Sequence, residues 1–177
     1  MEKPQLILRA VQLLLLVILT GLIGNIIATN HNAPSTATAA INFSMFVVVQ
    51  GWLATIIGIG TILAANRIAA LPIFVLFGTD AVAVLFTFID AVVLAAKLKM
   101  VNCGGEFGKK GSDPQPGDWI AFGSADDHKR CREVQAGTVF MWFLFAAFVA
   151  SLVLSFLGFR RGGGSIRSGP TMSQVRV

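Results

Sequence analysis

The chain predicts an all-α integral membrane protein, a bundle of four transmembrane helices, and three observations carry that prediction. Apolar runs occupy residues 6–27, 41–65, 71–96 and 134–159. Each, as a helix rising ~1.5 Å per residue, is long enough to cross a hydrocarbon core of ~30 Å. Hydrophobic residues make up 55% of the chain and charged ones 13%, with a mean hydropathy of +0.74; that balance suits lipid and not water. The runs are continuously apolar, whereas barrel strands would be short and alternating. Open sheet edges cannot persist in hydrocarbon, so helices remain. Four spans within 177 residues leave no room for a sizeable soluble domain.

The first run follows Lys3 and carries Arg9, and the loop after it, 28–40, has no Lys or Arg. Positive residues stay cytoplasmic, which places the N-terminus inside. The run is longer than the ~7–15 apolar residues of a signal peptide, and the nearest small-x-small pattern, Ala37-Thr38-Ala39, lies well beyond it. It reads as a retained helix. Glu2 stands where myristoylation needs glycine, and the chain has no prenylation ending. The second run opens on a glycosylation sequon, Asn42-Phe43-Ser44, too close to the membrane for use. A short turn with Asn66 and Arg67 then returns on the cytoplasmic side.

The third run holds the most unusual residues, Asp80 and Asp90. A bare carboxylate in hydrocarbon costs ~2.5–3.5 kcal/mol even on insertion scales. Ten residues of helix rotate a side chain by ~80°, so both aspartates can face one half of the bundle. Each then needs a proton or a polar partner. Asn25, Gln50 and Thr55 on other helices, with Thr79 and Thr87 on the same one, are the candidates. No Lys, Arg or His is expected deep in the membrane to match them. Two readings follow: buried acids that pin the third helix to its neighbours, or a proton relay.

The loop at 97–133 contains both cysteines, Cys103 and Cys131, near its ends. So placed, they read as a disulfide closing an extracytoplasmic loop, worth ~3–4 kcal/mol in the chain-entropy model. Free thiols in a cytoplasmic loop are the alternative. The loop holds seven Lys and Arg, as many as the whole proposed cytoplasmic side, so the positive-inside rule and the cysteines pull in opposite directions here. His128 alone near the cysteines is too little for zinc. Trp119, Ile120 and Phe122 form an apolar patch that either rests on the outer leaflet or fills a small core of the loop. The fourth run returns the chain to the cytoplasm, where 160–177 forms a flexible basic tail. There Arg160, Arg161 and Arg167, with Arg67 and the N-terminal Lys3 and Arg9, face anionic headgroups. Ser165, Ser168, Thr171 and Ser173 make that tail either a phosphorylation switch or an inert polar end.

Small residues recur at four-residue spacing: Thr20, Gly24 and Ala28; Gly51 with Thr55, and Ala54 with Gly58; Ala83, Thr87 and Ala91; Ala147, Ser151 and Ser155. Such faces let helices approach closely. They pack either this bundle or neighbouring copies, and replacing Gly24 and Gly58 by Leu tests which. The net charge of +5 does not indicate nucleic acid, because the basic residues are scattered over termini and loops. Neither histidine, His31 or His128, has a nucleophile or ligand cluster beside it, and Gly162–Gly164 lacks the strand of a phosphate loop. No catalytic, metal or cofactor residue is therefore assigned.

The segments ILRAVQLLLLVILTGLIGN, NFSMFVVV, FVLFGTDAVAVLFTF, CREVQA and the closing PTMSQV, in that order, resemble MARVEL-domain tetraspan proteins. Within these the chain is similar to the fungal non-classical export family of plasma-membrane eisosomes. It departs in a long loop with Gly and Lys and in an extra Arg-Val at the end. The resemblance implies a non-enzymatic, homo-oligomeric protein that organises sphingolipid- and sterol-rich plasma-membrane domains, senses sphingolipid state and supports export. On matching positions it marks Asp80, Cys131 and 170–175. The rival expectation is a proton-coupled transporter or channel using Asp80 and Asp90.

Overall fold

The computed structural model describes residues 2–64, 73–98, 103 and 120–161. Four helices account for nearly all of them: α1 (Glu2–Ala28), α2 (Ser35–Ala64), α3 (Ile73–Leu98) and α4 (Asp127–Arg161). All four are long and apolar enough to span a membrane.

Three helices begin earlier than hydropathy alone indicates, α1 at Glu2 and not 6, α2 at Ser35 and not 41, and α4 at Asp127 and not 134. At α4 a polar cap, not lipid, sets the start. Asp126 caps α4, its Oδ1 accepting from the Lys129 N–H at 3.0 Å. Asp127 Oδ1 accepts from the N–H groups of Gly123 (3.1 Å) and Ser124 (3.0 Å), which ties the incoming loop to the same turn. Gly123 has φ +108° and lies against the Ala33 backbone, so a side chain there would meet both strain and collision. Its carbonyl accepts from His31 N–H at 2.8 Å and Asn32 N–H at 3.3 Å, joining the α1–α2 turn to the start of α4.

The helices run up and down around a square. α1 packs on α2 and α4, and α3 packs on the same two; among the described residues, α1 and α3 stand on a diagonal with no Cα pair within 8 Å. Leu16, Leu19, Ile23 and Ile26 of α1 meet Val47 and Val48 of α2, Ala83 and Leu94 of α3, and Met141, Leu144 and Phe148 of α4 in one core. Gly51 brings α2 close, with its bare Cα against Leu16 and Phe148. The outside carries large apolar side chains, among them Leu14 (63% exposed), Leu53 (58%) and Phe143 (58%). Arg9, Gln12, Ser44, Thr55, Asp80, Thr87, Asp90 and Ser151 are buried instead. Apolar outside and polar inside is the arrangement lipid solvation requires.

Candidate functional site

The polar interior centres on Arg9 and Asp80. Each lies seven residues from the start of its helix, about 10 Å along it. Because α1 and α3 run parallel in an up-and-down bundle, equal offsets bring the two residues to the same depth. They meet across the diagonal. Arg9 Nη1 donates to Asp80 Oδ1 at 2.8 Å and Nη2 donates to Oδ2 at 2.6 Å, a bidentate pair with side chains 2% and 0% exposed. Two parallel charge-assisted bonds are the strongest pairing these groups offer.

The other helices complete the layer. Arg9 Nη1 also donates to Gln12 Oε1 (3.0 Å), and Gln12 Nε2 donates to the Ala147 carbonyl of α4 (3.2 Å). Ser151 Oγ, one turn beyond Ala147, donates to Asp80 Oδ2 (3.4 Å). Gly58 of α2 supplies the space: a Cβ there would strike the Arg9 guanidinium. One turn outward, Gln5 Nε2 donates to Ser155 Oγ (3.0 Å). All four helices thus contribute to one buried assembly.

This corrects two sequence expectations. Arg9 does not join a basic rim at the headgroups; about 10 Å into its helix, a carboxylate at equal depth offers a closer partner than lipid phosphate does. The membrane interior therefore does contain a cation matching Asp80. The proposed neutral partners also differ: Thr79 and Thr87 hydroxyls return to carbonyls of their own helix (Leu76, and Ala83 with Val84), and Asn25 bonds Glu133. Asp90 is held by Ser44, whose Oγ donates to Asp90 Oδ1 at 2.8 Å, and it forms no ion pair among the described residues. In the sequence Ser44 stands out only as part of the sequon.

At the opposite end of the bundle, Cys103 and Cys131 form a disulfide with Cα atoms 5.8 Å apart, within the ordinary range, and both are buried. Arg130, 2% exposed, donates from Nε to the Ile120 carbonyl (3.1 Å) and from Nη1 to Asn30 Oδ1 (3.3 Å). Ile120 and Ala121 are buried and Phe122 packs on the core, so this part of the patch fills the bundle's end; Trp119 lies outside the described residues. Cys131→Ser is expected to lower stability by about 2–4 kcal/mol. Thermal unfolding in detergent, with reductant giving the wild type the same loss, checks it.

The small residues divide by direction. Gly51, Gly58, Ala83, Thr87, Ala147 and Ser151 face the interior, whereas Ala28 is exposed and a Cβ added at Gly24 would meet nothing within 4 Å. Thr20 is half-buried and accepts the Trp52 indole N–H at 3.1 Å. Gly58 therefore accommodates an arginine and is not part of an outward helix-pairing face. Arg160 is exposed with its guanidinium 6.0 Å from the Phe156 ring centre. Arg67, Arg167, Ser165, Ser168, Thr171 and Ser173 lie outside the described residues, as does the Arg161 side chain.

Comparison with known proteins agrees with four membrane spans. The family model of the MARVEL membrane-associating domain matches residues 1–154. Non-classical export protein 2 of Saccharomyces cerevisiae is 32% identical over 184 residues, covering 96% of either chain. Non-classical export protein 102 of Candida albicans is 34% identical over 180 residues, again 96% of either chain. No solved structure matches. Four apolar helices with a polar interior, and similarity along almost the whole length, place this multi-pass membrane protein in the MARVEL family, alongside the fungal non-classical export proteins.

Proposed function

We propose that this protein is a non-enzymatic organiser of the plasma membrane, a homo-oligomer that shapes or sorts sphingolipid- and sterol-rich domains and so supports export. The observation that carries this reading is the division of chemistry in the bundle. Polar groups bond one another inside, and the outward faces offer apolar side chains such as Ile7, Leu14, Leu53 and Phe143. A surface of that kind acts on the lipid and on other copies around it. Both relatives are named for non-classical export, which supports the link to that process.

In this reading both termini are cytoplasmic, Arg160 and the tail arginines meet anionic headgroups, and phosphorylation of the tail serines and Thr171 weakens that attraction. The disulfide favours this orientation, since it lies at the end opposite the N-terminus and persists in oxidising surroundings. A proton relay through Asp80 is less well supported, because Arg9 already compensates that carboxylate.

Native mass spectrometry of protein released from its own membrane tests the proposal. A defined oligomer that retains sphingolipid or sterol is expected; a lipid-free monomer would overturn it.

A further inference from the structure

The outward faces of the bundle are apolar over a defined length. On α1 every exposed residue from Leu6 to Ile27 is apolar or glycine, a stretch of ~32 Å along the helix. On α3 the same holds from Val75 to Ala96, again ~32 Å. On α4 the exposed Gln135 and Arg160 stand ~38 Å apart along the helix, and the exposed side chains described between them are all apolar. Exposed Asn42 marks one edge on α2, beyond which Phe46, Val49, Leu53 and Ile56 face outward.

The buried ion pair makes that length possible. Leu6 and Ile7 precede Arg9 on α1, Val75 and Phe77 precede Asp80 on α3, and all four apolar residues are exposed. Were the two charges turned to lipid, the apolar face would start beyond them and shrink to ~26 Å on α1 and ~23 Å on α3. Turned inward they bond each other, and the outer face runs unbroken past their level.

Bilayers differ in thickness: the hydrocarbon core is ~27 Å in the endoplasmic reticulum and ~32–33 Å where sterol and sphingolipid are abundant. A mismatch in either direction costs free energy for each ångström, and that cost sorts proteins among membranes. Helices of such bundles cross at ~18–20°, a lean of ~10° each from the common axis, which takes less than ~1 Å from a ~32 Å face. We infer that the outer surface of this bundle is fitted to a thick bilayer, with a core of ~32 Å, as in sterol- and sphingolipid-rich membrane, and that it selects this partner by thickness. The inference rests on the organiser reading and gives its sorting a physical basis, with the inward Arg9–Asp80 pair fixing the length of the belt.

The test uses the full chain in vesicles of phosphatidylcholine alone, in three chain lengths whose cores are about 27, 30 and 33 Å thick. Competition with brominated lipid, which quenches lipid-facing Trp142 (39% exposed), gives the relative affinity for each. Affinity is expected to be highest at about 33 Å and at least about two-fold lower at about 27 Å. No dependence on thickness, or an optimum at about 27 Å, would overturn the inference. Because these vesicles contain neither sphingolipid nor sterol, that failure would leave the organiser reading to its own test. In the double variant Arg9→Met/Asp80→Leu the optimum is expected to stay in place, since the pair does not face lipid. A move to thicker bilayers would show that the charges end the belt and would overturn the assigned role of the pair. The wild-type optimum decides the thickness even if the variant does not fold.

Discussion

Asp80→Asn is expected to destabilise the bundle by about 3–5 kcal/mol, the usual consequence of stranding one member of a buried ion pair. The substitution keeps the shape of the side chain and removes its charge. Arg9 is then left 2% exposed, inside a membrane span, with the Gln12 amide oxygen and the new Asn amide as neutral acceptors for a full positive charge. The penalty arises mainly from the uncompensated guanidinium, because the attraction within the pair is largely offset by the desolvation of both groups. The double variant Arg9→Met/Asp80→Leu should therefore recover most of the loss, since it removes both charges together. Thermal unfolding in detergent micelles, or steric trapping in bicelles, measures all three differences. A double-mutant cycle with strong coupling is the expected result. Additive losses, or an Asp80→Asn variant within about 0.5 kcal/mol of wild type, would show that the pair does not join the two diagonal helices.

Gly58 and Gly24 should respond in opposite ways to the same change. A Cβ at Gly58 would collide with the Arg9 guanidinium, which two bonds to Asp80 and one to Gln12 hold in place. Gly58→Ala is expected to cost about 1–3 kcal/mol, the range for overpacking a well-filled interior, and Gly58→Leu more. A methyl group added at Gly24 would meet nothing within 4 Å, so Gly24→Leu should leave stability within about 0.5 kcal/mol of wild type. If the α1 face is a contact between copies, Gly24→Leu lowers the subunit number without harming the fold. Melting temperature and native mass spectrometry, read on the same samples, separate the two effects. A destabilised Gly24→Leu, or an indifferent Gly58→Ala, would reverse these assignments.

The buried polar layer is partly legible in the sequence. On α1, Arg9 and Gln12 stand in one stripe with Leu16, Leu19, Ile23 and Ile26, at alternating steps of three and four; on α3, Asp80, Ala83, Thr87 and Asp90 repeat the pattern. Two polar residues three apart in an otherwise apolar run mark an inward face, because lipid does not solvate them. Arg9, close behind Lys3, reads equally well as a cytoplasmic rim charge, and that conceals the pattern. The rest of each helix gives no help: outward Leu14 and inward Leu16 are the same residue type, so hydrophobic periodicity, which orients a helix in water, is almost absent here. The disulfide is one of two readings that two cysteines bracketing a loop allow, and the structure selects it, with the Cα atoms 5.8 Å apart.

By itself the sequence determined the number of spans, their helical nature and the family. Each of these depends on length, composition or order along the chain, and the hydrocarbon thickness leaves little choice once the apolar runs are long enough. Only the tertiary structure decided which polar groups are partners. Arg9 and Asp80 are separated by 71 positions and stand on diagonal helices that, among the described residues, have no Cα pair within 8 Å. Their meeting follows from equal depth on parallel helices and from the opening left by Gly58 on a third. The same holds for Ser44 with Asp90 and for Asn25 with Glu133. In lipid the drive to bury apolar surface is missing, so helix rotation and register are chosen by such polar pairings and close contacts, which exist only once all four helices stand together.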